Sequence, residues 1–446
     1  MTGISEATDS LANGYGSNEF TPLSPDTEYE ILVEEMRNHS TDEDDVLFSD
    51  QLDVVTEEMY ARGIDMQGIN WDNRPVTREA CRKKRVDEYE NYLCLEDTDD
   101  KSLRQQFTNT EAGHKFYDFK YAKLSERCSI GHFQLRNLLW ATSKDSVYYM
   151  YEDTVRHWSP HFPHSREVLN VRTAHTPQSL VFAVSSMACA EDILFMGGSK
   201  GEYAYRRLDD KDEPVHYGTT TNHSNGIANH INVTQARNGE TQAIVSSNDQ
   251  KARFINLASG KVDTTLSFPF AVNCSALSPD KRLLCVVGDD TATIICDASS
   301  GKGVHILSEH HDFSFACCWS PDGRLFATGN QDKTTRIYDI RQPTEAIHVL
   351  GANVGAIRSL QFTHDGQYLI AAEPIDFVHI YDASSFQTSQ VIDFFGEIAG
   401  VSLSPEDQAL FIAAAEERIR IAPHCDERIG GLFEFRRETD PMSFYF

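Results

Sequence analysis

The chain has 446 residues and a formal net charge of −28, and 40% of its residues are hydrophobic. Such an acidic chain repels phosphate backbones, which disfavours nucleic-acid binding through a broad basic face. No run of 18 or more apolar residues occurs, and the N-terminal residues lack the features of a secretion signal. The sequence therefore predicts no membrane partner, and we expect a cytoplasmic or nuclear protein.

Ten cysteines are spread along the chain, and no Cys-x-x-Cys pair occurs. This pattern favours reduced thiols in a core over disulfides or a zinc site. The sequence accordingly predicts no metal and no cofactor.

Most of the negative charge lies near the N-terminus, where residues 1–100 hold 26 acidic and 8 basic side chains. Residues 1–69 contain few side chains able to form a core, so they are predicted to be a disordered acidic tail. Within this tail, VLFSDQLDVV (46–55) mixes acids with apolar residues. It is either solvated chain or a partner-binding motif that orders on contact.

Residues 70–112 are predicted to form a helical arm. Thr77 is a suitable helix N-cap, and helix formers follow it as far as Leu93. The basic block Arg82–Arg85 is either a nuclear import signal or a charged helix face. The helix is predicted to be amphipathic because three apolar residues share one stripe: Val86, Tyr89 and Leu93.

Beyond residue 113, short alternating runs that end at Asp, Gly, Asn or Pro indicate an all-β repeat protein. Four turns share one pattern, and their hydroxyl residues are Ser278, Ser320, Thr363 and Ser404. The spacings of 42, 43 and 41 residues match the length of a four-stranded propeller blade. A second register keeps the same step, at Asn256, Asp297, Asp339 and Asp382.

The run HHDFSFACCWSPDGRLFATGNQDKTTRIYD (310–339) resembles a WD40 repeat, with Tyr338 in the usual tryptophan position. The resemblance implies an all-β, seven-bladed WD40 β-propeller over residues 113–437, followed by a C-terminal tail at 438–446. The predicted blades are 113–171, 172–218, 219–265, 266–308, 309–351, 352–394 and 395–437. Either KFYDFKY (115–121) or GLFEFRR (431–437) is expected to complete the last blade beside the first.

Three further stretches resemble a functionally uncharacterised group of fungal and plant WD-repeat proteins. They are DMQGINWDNRPVTRE (65–79), GHFQLRNLLWATSKDSVYYM (131–150) and AAEPIDFVHIYD (371–382). This group brings no biochemical role with it.

The WD40 resemblance also argues against catalysis. It implies that Ser320 and His310 lie at opposite ends of a strand, roughly 15 to 20 Å apart, whereas a nucleophile and its base must meet. We therefore predict no catalytic residues. The resemblance instead implies a structural hydrogen-bond network made by His310, Thr328, Asp332 and Tyr338.

Two candidate protein-binding sites follow from the repeats. Asp339 and Arg341 resemble part of the box by which propellers dock on cullin-RING ubiquitin ligases, although Arg341 pairing with a local acid explains the same residues. Blade six abandons the aspartate register, where either recognition or repeat drift accounts for the change. Its candidate partner-binding residues are Glu373, Pro374, Asp376 and His379.

Two other clusters are interpreted as structural. His157, His161 and His164 are interrupted by prolines, which disfavours a metal site. The Arg-Arg pairs at 206–207 and 436–437 lack the glycine of phosphoinositide-binding propellers, and an acidic chain is repelled by an acidic membrane.

The predicted function is a non-enzymatic scaffold that binds proteins or peptides through the faces of the propeller. Two alternatives remain open: a substrate receptor of a cullin-RING ubiquitin ligase, and a nuclear transcription or chromatin adaptor. The sequence predicts no oligomeric state.

Overall fold

The computed structural model describes residues 52–95, 100–132, 134, 136–162, 164–172, 180–210, 212–422 and 425–438. The predicted tail before residue 52 and residues 439–446 lie outside this part of the chain. The described helices are α1 (Glu57–Ala61), α2 (Arg78–Glu88) and α3 (Asp100–Arg104), with a 3-10 turn at Trp71–Asn73. Strands β1 (Val54–Thr56), β2 (Glu111–Ala112) and β3 (Tyr117–Lys123) precede the repeats.

Five blades are separate four-stranded antiparallel sheets. Blade one contains β4 to β7, which are Leu139–Ser143, Ser146–Tyr151, Thr154–Trp158 and Arg166–Asn170. Blade two contains β8 to β11, which are Val184–Ala190, Ile193–Gly198, Glu202–Arg207 and His216–Thr219. Blade three contains β12 to β15, which are Ala228–Gln235, Thr241–Ser247, Lys251–Asn256 and Lys261–Ser267.

Blades four and five follow the same pattern. Blade four contains β16 to β19, which are Val272–Leu277, Leu283–Gly288, Thr293–Asp297 and Gly303–Leu307. Blade five contains β20 to β23, which are Ser314–Trp319, Leu325–Asn330, Thr334–Asp339 and His348–Gly351.

Blades six and seven are joined in one nine-stranded sheet. The remaining strands are β24 (Ser359–Phe362), β25 (Tyr368–Ala372), β26 (Ile375–Asp382), β27 (Thr388–Leu403), β28 (Ala409–Ala422) and β29 (Cys425–Arg437). The first part of β27 pairs with β26 in blade six, and its last residues pair with β28 in blade seven. One continuous strand therefore belongs to both blades.

The blades form a closed ring. The first strand of each blade contacts the first strand of the next, and the last part of β27 contacts β4 of blade one. In each antiparallel blade, the turn between the second and third strands lies at the same end as the connection to the next blade. We call this end of the ring the upper face. Apolar clusters lie between neighbouring blades, as where Met187 and Val184 of blade two pack with Leu138 and Met150 beside blade one.

Strand β3 closes the ring. It pairs with β29, so blade seven consists of the end of β27, then β28, β29 and β3. Both candidate segments thus lie in the same blade, with the N-terminal segment as its fourth strand. The prediction that the first blade begins at residue 113 was wrong. Strand β3 pairs with the edge of β29 that would otherwise be unpaired, so it belongs to blade seven.

The repeated turns explain the spacing found in the sequence. In each of the four turns the hydroxyl oxygen accepts a hydrogen bond from the backbone N–H five residues later, at 2.8 to 3.0 Å. Ser320 also donates to Asp322 (2.5 Å), and Thr363 donates to Asp365 (2.8 Å). A hydroxyl side chain is needed at each turn because it satisfies a buried backbone group.

Residues 52–69 are ordered against the propeller, contrary to the prediction that they belong to a disordered tail. Strand β1 pairs with β3 as a fifth strand of blade seven, and Val55 is fully buried. The amide of Gln67 exchanges two hydrogen bonds of 2.6 Å with the backbone of Phe395. The composition of residues 52–69 did not predict this order. A few apolar and amide side chains are enough to hold such a segment when it can pair with the edge of a sheet.

A histidine links the turns of blades six and seven. His364 Nδ1 lies 2.8 Å from Asp407 Oδ1, and this hydrogen bond raises the pKa of His364 above its ordinary value of 6.5. Because the folded pKa is raised, the stabilisation is complete below about pH 6.5 and is lost as pH rises through the folded value. The His364 side chain is 56% exposed, so we expect the pair to contribute less than about 1 kcal/mol to the free energy of unfolding.

We expect urea denaturation at pH 6, 7 and 8 to show a fall in the stability of the native chain that the His364→Gln variant lacks. Equal pH slopes for the two proteins would contradict this assignment.

Candidate functional site

Helix α2 begins as the sequence predicted but ends earlier. Thr77 is its N-cap and accepts a hydrogen bond from Ala80 N–H at 3.2 Å. The helix stops at Glu88, and Tyr89 is extended. The prediction that it reaches Leu93 was wrong because residues 91–94 make hydrogen bonds to blade five instead of continuing the helix.

The face of α2 that meets the propeller is charged. Arg78, Arg82 and Arg85 follow one another at intervals of four and three residues, which places them on one side of a helix. All three bind the propeller, whereas Lys83 and Lys84 are exposed. Of the predicted apolar stripe, Val86 and Leu93 are exposed, and Tyr89 packs against Ile375 and Phe377 of blade six. The arginine spacing was the signal in the sequence that would have found this face.

Two aspartates of blade six receive these arginines. Asp376 Oδ2 accepts hydrogen bonds from Arg82 (2.5 Å) and Arg85 (2.7 Å), while Oδ1 accepts from Gly396 N–H at 2.8 Å. Asp393 Oδ1 accepts from Arg82 (2.5 Å) and Arg78 (2.8 Å). Arg82 therefore bridges both carboxylates. Asp376 is 1% exposed, so its charge depends on these partners for compensation.

Aromatic rings complete the contact. The guanidinium carbon of Arg82 lies 4.2 Å from the ring centre of Phe395 and 4.7 Å from that of Phe377. Arg78 lies 5.0 Å from the Phe395 ring. Cations over aromatic faces gain most where water is excluded. We call Asp376, Phe377, Asp393 and Phe395 the docking site.

The electrostatics of the docking site favour the charged arginine. Burial alone lowers the pKa of Arg78, but the hydrogen bond and charge of Asp393 outweigh it and raise the pKa above its ordinary value. Cys81, from the same helix face, packs with Phe395 and Ile419 in an apolar cluster. The contact thus combines ion pairs with buried apolar surface.

The arm continues from α2 to blade five. The side chain of Asn91 hydrogen-bonds both ways with Gln331, which lies in the turn between β21 and β22. Asn91 also accepts from Ala356 N–H at 3.1 Å, and Asp312 accepts from Cys94 N–H at 3.0 Å. The arm therefore crosses the upper face from blade seven to blade five.

The four candidate residues of blade six have different environments. Asp376 lies in the docking site, with a φ of +67° that the turn requires. Glu373 is fully buried; it accepts hydrogen bonds from the backbone of residues 353–355 and pairs with His379 at 2.7 Å. Pro374 accepts from Ile398 N–H. Glu373 and His379 are thus not on a partner-binding surface, because buried polar groups in the turn require one another.

The other candidate site is exposed at its arginine. The Arg341 guanidinium donates to both carboxylate oxygens of Asp339, at 2.6 and 2.9 Å, and the Arg341 side chain is 65% exposed. Arg324 donates to the same carboxylate at 3.1 Å. The alternative interpretation of the sequence, in which Arg341 pairs with a local acid, thus agrees with the contact between Arg341 and Asp339.

The His310 network joins three of its four expected members. His310 lies 2.9 Å from Asp332 Oδ2 and 2.8 Å from Thr328 Oγ1, and all three side chains are buried. Tyr338 instead stacks on Phe326, with ring centres 5.0 Å apart. Burial and the neighbouring Glu309 carboxylate raise the pKa of Tyr338. In the described part of the chain, the Ser320 hydroxyl makes its hydrogen bonds within its own turn, to Asp322 and Leu325, and His310 is not among its partners.

The histidines near residue 160 are not grouped as ligands. His157 lies 2.7 Å from Ser146 Oγ, and His161 lies 3.5 Å from Asp145. Among the residues that the structure describes, no group of three or more potential metal ligands occurs. Nor does any helix in this described part have the length and apolar character needed to span a membrane.

Comparison with known proteins gives the same fold. The family model for "WD domain, G-beta repeat" matches residues 301–339, which run from blade four into blade five. An uncharacterised protein of Schizosaccharomyces pombe is 25% identical over 311 residues, covering 65% of this chain and 86% of that protein. The serine-threonine kinase receptor-associated protein of Dictyostelium discoideum is 38% identical over 72 residues, covering 16% of this chain and 25% of that one.

A solved structure supports the architecture at low sequence identity. A chain in the crystal structure of the mitotic checkpoint complex aligns with a TM-score of 0.57 and 16% identity, covering 75% of this chain and 98% of that chain. At this identity the likeness concerns the fold alone. With the repeated turns, the ring of seven blades and the matched repeat, it identifies the chain as a WD40-repeat β-propeller protein.

Proposed function

We propose that the protein is a non-enzymatic adaptor that binds protein partners on the upper face of blades six and seven. The propeller fold is a common scaffold for protein interactions, and loops held on a rigid scaffold are frequent binding sites. Among the described residues, the nucleophile and base that looked reactive in the sequence, Ser320 and His310, bind different partners. The proposal therefore rests on recognition and not on chemistry.

One observation carries the proposal: the docking site holds a helix through arginines spaced four and three residues apart. Two carboxylates that accept hydrogen bonds and two aromatic rings that lie against the same arginines form a site whose chemistry fits a guanidinium group. The partner class that matches is an amphipathic helix with arginines at i, i+4 and i+7. In the native chain α2 occupies this position.

Competition between α2 and a partner helix sets how strongly the partner must bind. A tethered segment acts at an effective concentration of the order of millimolar. A partner helix displaces α2 only when the ratio of its concentration to its Kd for the open site exceeds the ratio of this effective concentration to the Kd of α2. Because of this requirement, helices that bind the docking site weakly do not displace the arm.

The test uses a fluorescent peptide of residues 76–90 added to full-length chains. We expect weak or no binding to the native chain, because its site is filled by α2. Full-length chain with Arg78, Arg82 and Arg85 replaced by Gln should bind the peptide, since its own arm no longer competes. Fluorescence anisotropy measures both.

Two controls define the result. Replacing the exposed Lys83 and Lys84 by Gln alters the same helix without touching the docking site, so that chain should behave like the native one. Adding Asp376→Asn to the arginine-neutralised chain should abolish peptide binding. The proposed recognition is wrong if the arginine-neutralised chain does not bind the peptide. It is also wrong if that chain binds equally well a peptide in which Arg78, Arg82 and Arg85 are replaced by Gln.

A further inference from the structure

A second group of charges lies beside the docking site, around the innermost strands. Arg358 immediately precedes β24 of blade six, and Arg136 lies three residues before the start of β4 of blade one. Both side chains are almost completely buried, at 5% and 4% exposure. Residues that precede first strands lie at the upper face next to the ring axis. Two guanidinium groups are thus brought toward the same mouth of the central channel.

Arg358 is incompletely satisfied by the protein. Its Nη2 donates to Gln331 Oε1 at 2.6 Å, and its guanidinium carbon lies over the Phe315 ring, 3.9 Å from the ring centre. Its Nε and Nη1 have no hydrogen-bond partner in the described part of the chain. No carboxylate among the described residues forms an ion pair with it. A buried cation in this condition is costly unless something supplies acceptors.

The electrostatic potential around Arg358 is positive, because Arg136 lies near it. Burial first, and then the charge of Arg136, lower the pKa of Arg358 to about 9. The same two arginines, after burial, lower the pKa of His132 to about 3. Arg136 itself lies 3.2 Å from Glu397, whose carboxylate is 47% exposed. The group therefore holds more positive than negative charge at its buried end.

We propose that Arg358, together with Arg136, binds a small oxyanion of the phosphate class at the mouth of the central channel. The Phe315 ring covers the face of the Arg358 guanidinium, so an oxyanion meets its edges, where the N–H groups point. Two oxygens on one centre can accept a pair of parallel hydrogen bonds from a planar guanidinium, a bidentate geometry that a single-atom anion such as chloride cannot offer. The site lies against Gln331, which also holds Asn91 of the arm, so the bound anion and the arm share one residue.

The experiment measures thermal unfolding of the full-length chain in sodium phosphate and in sodium chloride of equal ionic strength. Phosphate stabilises many proteins through exclusion from their surface, so the variants are essential. We expect phosphate to raise the unfolding midpoint of the native chain by about 2 °C or more above chloride. The Arg358→Gln variant should lose most of that difference.

Arg341→Gln is the control variant. Arg341 is an exposed arginine paired with Asp339, and it follows β22 at the end of blade five opposite the upper face. Its phosphate effect should equal that of the native chain. Arg136→Gln provides a second variant should Arg358→Gln not fold. A phosphoserine peptide tests whether the site accepts a phosphorylated partner as well as the free ion. If it does, the peptide should raise the unfolding midpoint of the native chain, and inorganic phosphate should compete with it for the same site. An equal phosphate effect in all chains shows surface exclusion only and overturns the proposal, as does no effect in the native chain.

Discussion

A chain that begins at residue 124 is expected not to fold, whereas one that begins at residue 113 is expected to fold. The two differ by β3, the fourth strand of blade seven. Removing it exposes the pairing edge of β29 and the surface on which Tyr117, Phe119 and Ala122 are buried. Burial of such side chains contributes about 1.5 to 3 kcal/mol for each large one. Added to the lost strand hydrogen bonds, this is comparable to the whole stability of a typical domain, about 5 to 15 kcal/mol.

Circular dichroism and size-exclusion chromatography compare the two chains. The longer one should melt cooperatively as a monomer or defined oligomer, and the shorter one should aggregate. A peptide of residues 113–125 supplied in trans should partly rescue the shorter chain by strand addition. A cooperative melt of the shorter chain within a few degrees of the longer one would show that β3 does not close the ring.

Replacing Asp376 by Asn is expected to release the arm from the upper face. The substitution keeps the shape of the side chain but leaves Arg82 and Arg85 beside a neutral group. Loss of one partner of a buried ion pair costs about 3 to 5 kcal/mol. The arm can avoid that cost by detaching, so the loss in global stability is limited to the free energy with which the arm is held.

Hydrogen exchange of α2 reports this release directly. In the variant, the amides of residues 81–88 should exchange faster, while strands of blades two to four keep their protection. Asp382→Asn is the matched control, since Asp382 lies in the same blade and binds only the hydroxyls and backbone of its own turn. Equal protection of α2 in the native chain and the Asp376→Asn variant would disprove the role of this carboxylate.

The propeller itself was largely predictable from the sequence, because its determinants are local and repeated. A hydroxyl that caps each turn leaves a mark every 41 to 43 residues, and Ser320 and Thr363 show the same hydrogen bonds. The His310 network was likewise implied by the repeat resemblance. Such features need only nearby residues, so a single sequence contains them.

The docking of the arm was not predictable in this way. Arg82 meets Asp376 and Asp393 across about 300 residues, and no repeat marks that pairing. Of the predicted apolar stripe, Tyr89 contacts the propeller, and α2 itself is held by its arginines. The basic block is interpreted in the sequence as an import signal or a charged helix face, and neither interpretation predicts that Arg82 and Arg85 bind acids of the propeller. Such long-range choices depend on the folded surface that the helix meets.

The shared strand β27 restricts how this protein can change in length. Between blades four and five, the residues from Leu307 to Ser314 form a connection in which extra residues are easily accommodated. From Thr388 to Leu403 there is no such connection. Because neighbouring side chains on a strand point to opposite sides, one inserted residue there turns every later side chain of that strand over. Natural length variation is therefore expected at the other junctions of the ring, while the seam between blades six and seven keeps its residue count.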